Sequence, residues 1–237
     1  MTRKLLIVFA SGLVFAIVLL SSAWVIGGNA LIAHIEKDGG YRFTFDSDKH
    51  SGPRVTKSLP FEGIETLTIA APVSLKFTRG AASSMVVSGP QKLMDMLRWE
   101  NGRLSLNGHS IMLGGGLDVT ITAPQVPNLV LMGAGDVDLA DLEQSSLSIE
   151  SAGALDLNGK GKVETLVIDA KGASDLDLSE VEARVATVRI AGAGDVDINA
   201  SSKVDATIAG AGDITLHRKP EVLTTSIHGA GSIKHDY

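Results

Sequence analysis

The chain has 237 residues and a formal net charge of -6, and its 21 Lys and Arg residues are scattered rather than clustered. This distribution excludes a nucleic-acid-binding surface, which needs grouped positive charge. The lack of cysteine excludes disulfides, thiolate metal sites and a lipidated cysteine, and a hydrophobic content of 44% is sufficient for the core of one large domain.

The chain begins with a long uncharged segment. No formally charged residue lies between Lys4 and His34, and such a segment exceeds the roughly 20 apolar residues that span a bilayer. Residues 1–33 are therefore predicted to be a membrane anchor or a signal segment. We favour the anchor because apolar residues resume at Trp24, after the candidate cleavage site Ser21-Ser22-Ala23. The basic start places the remaining chain in the periplasm or another extracytoplasmic space, and the protein is secreted if the segment is cleaved.

A polar region separates this segment from the folded domain. Residues 34–60 contain Gly39-Gly40 and mixed charges without a sustained hydrophobic period, so they are predicted to form a linker. The folded domain is predicted at residues 61–237. Its first strands follow at once, because apolar and polar residues alternate at 66–69 and again at 73–77.

A short helix is predicted within residues 90–99. Pro90 suits the first helical position, and Leu93 and Leu97 are spaced i, i+4. This helix is expected to cap or flank the first coils of the domain. Asn101-Gly102 then predicts a tight turn between two strands.

A glycine-containing phrase recurs through the second half of the chain. Its first copy is Gly133-Ala134-Gly135-Asp136-Val137-Asp138-Leu139, and further copies begin at Ser151, Gly172, Gly192, Gly210 and Gly229. The central polar residues of the copies are 18–21 residues apart, and Asp118 lies 20 residues before the first of them. A period of this length is typical of a solenoid. We therefore expect an all-β fold, a right-handed parallel β-solenoid (β-helix) with coils of 18–21 residues.

Each coil is predicted to have one strand before the glycine corner and one after it, with alternate side chains pointing inward. The inward residues before the corner are Leu129/Leu131, Leu147/Ile149, Ile168/Ala170, Val188/Ile190, Ala206/Ile208 and Thr225/Ile227, and those after it are Val137/Leu139, Leu155/Leu157, Leu176/Leu178, Val196/Ile198, Ile214/Leu216 and Ile233/His235. Six steps of about 4.8 Å from Asp118 to Lys234 predict a stack of about 29 Å. Aspartate at each corner is expected to bond its own backbone.

Aspartates dominate the predicted outward positions. Three pairs share a face, Asp136/Asp138, Asp175/Asp177 and Asp195/Asp197, and stacking adds Asp156 and Asp213. Opposed like charges repel one another, and carboxylate oxygens suit calcium, so a calcium-binding face is one hypothesis. A solvated face screened by salt is the favoured one. No other cofactor and no catalytic residue is predicted, because the sequence contains neither a nucleophile motif nor zinc-ligand spacing.

Several segments resemble a known family. Phe61-Glu62-Gly63-Ile64, the strand Pro72–Lys76, the segment Gly102–Leu106 and the serial glycine corners are similar to the auto-transporter adhesin, head GIN domain family of bacterial envelope proteins. Pro220, before the last corner, also fits that pattern. The chain departs from it by using Gly-Ala-Gly where Gly-Ser-Gly is common, and by lacking a lipoprotein cysteine. The resemblance implies an envelope β-solenoid, and the family offers no catalytic residues to transfer.

These observations predict a membrane-anchored, extracytoplasmic binding, adhesion or envelope-scaffold module without catalytic activity. Its partner is expected to be an envelope protein or a surface polymer, and not a nucleic acid. One alternative is a carbohydrate-active enzyme on a β-helix, which is disfavoured because the connections are too short to enclose a cleft. Another is a structural homo-oligomer formed through the end coils, whose backbone groups are unpaired.

Overall fold

The computed structural model describes residues 53–107 and 116–237. These residues form one helix, α1 (Gln91–Met96), and fifteen strands: β1 (Arg54–Leu59), β2 (Thr66–Ala70), β3 (Val73–Arg79), β4 (Ser84–Pro90), β5 (Leu97–Glu100), β6 (Arg103–Leu106), β7 (Leu117–Ala123), β8 (Asn128–Leu131), β9 (Gly135–Ser151), β10 (Ala154–Ala170), β11 (Ala173–Ile190), β12 (Val196–Ile208), β13 (Ile214–Leu216), β14 (Val222–Ile227) and β15 (Ile233–His235). The predicted anchor lies outside them. Nowhere in the two described stretches is there a helix long and apolar enough to span a membrane.

The second half of the chain consists of long strands that pair in parallel with the strand one coil away. β9 pairs with β10, β10 with β11 and β11 with β12, in register over most of their length. Their burial alternates between inside and outside, which follows from the period-two pattern of apolar residues. The prediction of an all-β parallel solenoid is confirmed. Its hand stays a prediction.

Two columns of strands run along the stack. Strands that follow a corner are paired in the order β7, β3, β9, β10, β11, β12, β13 and β15. Strands that precede a corner are paired in the order β6, β2, β8, β9, β10, β11, β12 and β14, where the long strands contribute their second halves. Each long strand therefore belongs to both columns and bends between them.

The first coils are not stacked in chain order. β3 lies between β7 and β9, so Ser74 is in register with both Asp118 and Asp136. The prediction of one step between Asp118 and the first glycine phrase is therefore wrong. Seven strand steps separate β7 from β15, and the stack is about 34 Å long at 4.8 Å per step.

The second glycine phrase also has a different alignment from the predicted one. Asp156 is in register with Asp136 and Asp175, and Asn158, not Asp156, is in register with Asp138 and Asp177. A shift of two residues leaves every side chain on the same face, so alternation alone cannot detect it. The aligned positions are 18–20 residues apart, rather than 18–21.

An antiparallel cap closes the N-terminal end of the stack. β1 pairs antiparallel with β4, and β4 antiparallel with β7, so residues 54–59 of the predicted linker belong to the sheet. The predicted helix is present but shorter, because Pro90 is its N-cap and Leu97 already begins β5. The predicted tight turn is confirmed, with φ of 48° at Asn101 and 75° at Gly102 joining β5 to β6.

The core fills the interior of the coils. Every predicted inward residue from Leu129 to Leu216 is buried, with no more than 5% of its surface exposed. The last coil differs, because Thr225 and His235 are exposed, Ile233 is half-buried and Ile227 is 45% exposed. In the described residues no further coil stacks on these side chains, which leaves them uncovered.

Candidate binding surfaces

The glycine corners bring successive backbones into direct contact. A Cβ atom on Gly192 would overlap the carbonyl oxygen of Gly172, and one on Gly210 would overlap that of Gly192. The same relationship links Gly153 to Gly133, which fixes the alignment of the second phrase. Glycine is needed here because the backbones approach more closely than any side chain allows.

Beside each corner, five aspartates stand in consecutive coils. They are Asp136, Asp156, Asp175, Asp195 and Asp213. The first four are exposed and Asp213 is half-buried. Adjacent coils are about 4.8 Å apart, so the carboxylates are close enough to repel one another.

Part of this column is tied to the backbone of the following coil. Asp175 Oδ1 accepts a hydrogen bond from the backbone nitrogen of Asp195 at 3.3 Å, and Asp195 Oδ1 accepts one from Asp213 at 2.8 Å. Asp213 Oδ1 in turn accepts one from Ser232 at 2.7 Å. The expectation that corner aspartates bond their own backbone is therefore wrong at these positions. Their carboxylates satisfy corner amides one coil further along the stack.

The last aspartate of the column has a cationic partner. Lys234 Nζ lies 2.6 Å from Asp213 Oδ2, and the hydroxyl and backbone N–H of Ser232 also donate to its carboxylate. These contacts lower the pKa of Asp213 from its ordinary value of 3.8 to about 2. The hydrogen bond from Lys234 contributes most, and the two from Ser232 add to it. The charged form of this side chain is thus favoured in the folded protein.

A second polar column lies two residues further along each strand. It contains Asp138, Asn158, Asp177 and Asp197 in register. Asp177 accepts hydrogen bonds from the hydroxyl of Ser179 at 2.6 Å and from its backbone nitrogen at 3.0 Å, and these two bonds lower the pKa of Asp177. This local bond is the one that the corner aspartates were expected to make.

A histidine lies at the end of this second column. His217 Nε2 is 3.5 Å from Asp197 Oδ1, and His217 Nδ1 is 3.2 Å from Asp236 Oδ2. The imidazole therefore lies between two carboxylates on the last coils.

The structure places the six predicted aspartates on one surface, which we call the acidic face. It comprises Asp136, Asp138, Asp156, Asp175, Asp177, Asp195, Asp197 and Asp213. In residues 53–107 and 116–237, no group of three or more His, Asp or Glu side chains is arranged to hold a metal ion. The calcium hypothesis stays a prediction.

Charges beyond the bend of each coil are arranged differently. There, side chains of opposite sign pair between neighbouring coils: Lys160 with Glu180 at 2.6 Å, Lys162 with Glu182 at 3.1 Å, and Arg184 with Glu164 at 3.0 Å. Exposed pairs of this kind contribute little stability. Their effect is to make this surface, which we call the paired face, nearly neutral beside the acidic one.

A cleft of about 350 Å³, half open to solvent, lies at the N-terminal cap. Lys57, Leu59, Pro60, Leu97, Arg98, Trp99 and Glu100 line it. Trp99 is fixed by a hydrogen bond from Nε1 to the carbonyl oxygen of Pro60 at 3.0 Å. The sequence did not predict this cleft because one wall, β1, was assigned to the linker. Glu100 is the one acidic residue of the lining, so the lining lacks the two carboxyl groups that glycoside hydrolysis uses.

Parallel coils with stacked glycine corners define the protein as a β-solenoid. The chain belongs to the family described as "Putative auto-transporter adhesin, head GIN domain", whose profile matches residues 61–220. This finding confirms the resemblance of the sequence to that family. A search of curated proteins finds no match.

The chain is also similar to several solved structures. The chain is similar to a "putative adhesin" from Bacteroides fragilis, with a TM-score of 0.62 and 19% identity, over 78% of this chain and 98% of that chain. A "putative adhesin" and a "Putative lipid binding protein" from Parabacteroides distasonis have TM-scores of 0.46 and 0.39 and identities of 14% and 18%, each over 78% of this chain and 98% of the other. The first of these similarities supports the solenoid fold.

Proposed function

We propose that the protein is an extracytoplasmic binding module of the adhesin type, which acts by presenting its solenoid surface to an envelope protein or surface polymer rather than by catalysis. Membership of an adhesin family over residues 61–220 is the observation that carries this proposal. The uncharged segment between Lys4 and His34 supports export and attachment to a membrane. An adhesin family is in keeping with a location in the envelope or outside the cell.

The distribution of charge indicates which surface to test first. On the acidic face, Asp136, Asp156 and Asp175 form no salt bridge with any described residue, whereas the paired face is largely neutralised. Complementary charge speeds encounter and selects partners. A partner with a positively charged surface would therefore approach the acidic face in preference to the paired face.

Site-specific photo-crosslinking in cells tests this proposal. A photoreactive residue at Asp156 reports on the acidic face, and one at Glu164 is the matched control on the paired face. We expect one defined envelope component to be crosslinked from position 156. This crosslink should be lost at raised ionic strength, because salt screens the attraction between the acidic face and its partner. Equal crosslinking from both positions would contradict the choice of face. Release of cut glycan by the purified full-length protein would overturn the binding function itself.

The membrane topology has a separate test. A reporter that is active only in the periplasm should function when fused after Tyr237 and fail when fused after Lys4. Blocking signal peptidase should leave the gel mobility of the chain unchanged if residues 1–33 are an anchor. Accumulation of a longer precursor would instead identify them as a cleaved signal.

A further inference from the structure

The C-terminal end of the solenoid is an open sheet edge. Among the described strands, β14 pairs only with β12, and its residues Leu223 and Ile227 are in register with the buried residues Val204 and Ile208. Leu223 and Ile227 point into the core by this register, yet 36% and 45% of their surfaces are exposed. The hydrophobic interior thus reaches solvent at this end.

The free backbone groups of β14 can be assigned to particular residues. The backbone nitrogen of His228 donates to the carbonyl oxygen of Ile208 at 2.7 Å, so the even-numbered residues of β14 direct their N–H and C=O groups toward β12. Leu223, Thr225 and Ile227 therefore direct theirs toward the open edge.

This edge lacks the usual protection against pairing. Exposed edge strands in soluble proteins normally carry charged residues or proline. β14 has the sequence Val-Leu-Thr-Thr-Ser-Ile and contains neither. The edge strands of the N-terminal cap do carry charges, with Arg54 and Lys57 on β1 and Arg98 and Glu100 on β5.

We propose that the β14 edge binds the β14 edge of a second copy of this chain, in antiparallel orientation about a two-fold axis. An uncharged edge complements itself better than it complements the charged strands of the cap, so the solenoids join by their C-terminal ends rather than head to tail. Such an interface is closed and produces a dimer, not a fibre.

The direction in which the side chains point determines the register between the two β14 strands. Residues directly opposite in an antiparallel pair lie on the same face, and the core continues only if inward residues oppose inward residues. The centred arrangement places Leu223 opposite Ile227 of the second copy and Thr225 opposite Thr225 on the axis.

Cysteine crosslinking tests both the dimer and its register, since the chain has no cysteine of its own. In the centred register, Thr224 lies opposite Ser226 of the second copy, in a pair without mutual hydrogen bonds whose Cα atoms are about 4.5 Å apart. Full-length Thr224→Cys and Ser226→Cys chains with different tags should therefore form a mixed disulfide when co-expressed and oxidised. Thr56→Cys with Ser58→Cys is the matched control on the exposed β1 edge and should not crosslink.

A second test uses the mass of the full-length protein in mild detergent. The native chain should be dimeric, and Thr225→Lys should weaken dimerisation by on the order of tenfold, because two ammonium groups meet on the axis. Thr56→Lys, the same change on β1, should leave the dimer intact. A monomeric native chain overturns the proposal. A β1 crosslink as strong as the β14 crosslink overturns the choice of edge.

Discussion

The carboxylate of Asp195 accepts a hydrogen bond from the backbone nitrogen of Asp213, one coil further along the solenoid, at 2.8 Å. Asp195→Ala removes the acceptor and should destabilise the domain by about 1 kcal/mol. Asp195→Asn keeps an oxygen acceptor and removes one charge from the stacked column, so it should be at least as stable as the native chain. Thermal unfolding followed by circular dichroism compares the two. Equal destabilisation by Ala and Asn would show that the charge, not the acceptor, is what the fold requires.

Gly192→Ala should be severely destabilising. The added Cβ overlaps the carbonyl oxygen of Gly172, and neither backbone can move without breaking the ladder, so we expect a loss of about 3 kcal/mol or more. Gly63→Ala is the matched control, because a Cβ there meets nothing within 4 Å and only the φ of 69° is unfavourable, at a cost of about 1 kcal/mol. Melting temperatures in the reverse order would refute the close contact of the corners.

Acid should weaken the last coils through Asp213. Its pKa is about 2 in the folded protein against an ordinary value of 3.8, so the stabilisation is complete above the ordinary value and is lost as the pH falls toward 2. Asp213→Asn should therefore show a smaller fall in melting temperature between about pH 5 and pH 2 than the native chain. Lys234→Gln removes the main cause of the low pKa and should flatten the acid response in the same direction. An unchanged acid response in both variants would contradict the assignment.

Calcium and a monovalent salt at equal ionic strength should raise the melting temperature alike. Both screen the repulsion between stacked carboxylates, and four of these carboxylates already accept backbone hydrogen bonds. The result that would contradict this expectation is a saturable shift specific to calcium. Its loss in the double variant Asp175→Asn, Asp177→Asn would establish the acidic face as a calcium site.

The inside and outside of the solenoid could be predicted from the sequence because alternation fixes the face of each side chain. Ile190 and Ile208 were predicted to be inward and are 1% and 0% exposed. The register between neighbouring strands could not be predicted in this way, because a shift of two residues preserves the alternation. The position of Asp156 therefore depended on contacts between glycines that are 20 residues apart, which no local pattern reveals.

Contacts between segments that are distant in the sequence could not be predicted either. β1 has a polar sequence because it is an edge strand, and for the same reason it resembles a linker. The buried hydroxyls of Ser151 and Ser174 satisfy each other at 2.8 Å across 23 residues. The outward position of the aspartates was predictable, but their hydrogen bonds to the next coil were not, because these depend on how closely successive corners approach.

Long strands that bend without loops make the length of this protein adjustable in fixed increments. The segment from Gly172 to Ala191 closes one complete coil and pairs in parallel with the coils on both sides, and its register shifts only between the two halves of the strand. Duplicating such a unit would raise the C-terminal end by about 4.8 Å and add one member to each polar column, while the contacts with the two flanking coils are retained. An inserted segment outside the 18–20 residues that close a coil in this chain would break the stack of glycines. Duplication of coils would therefore lengthen the solenoid along its axis in steps of about 4.8 Å.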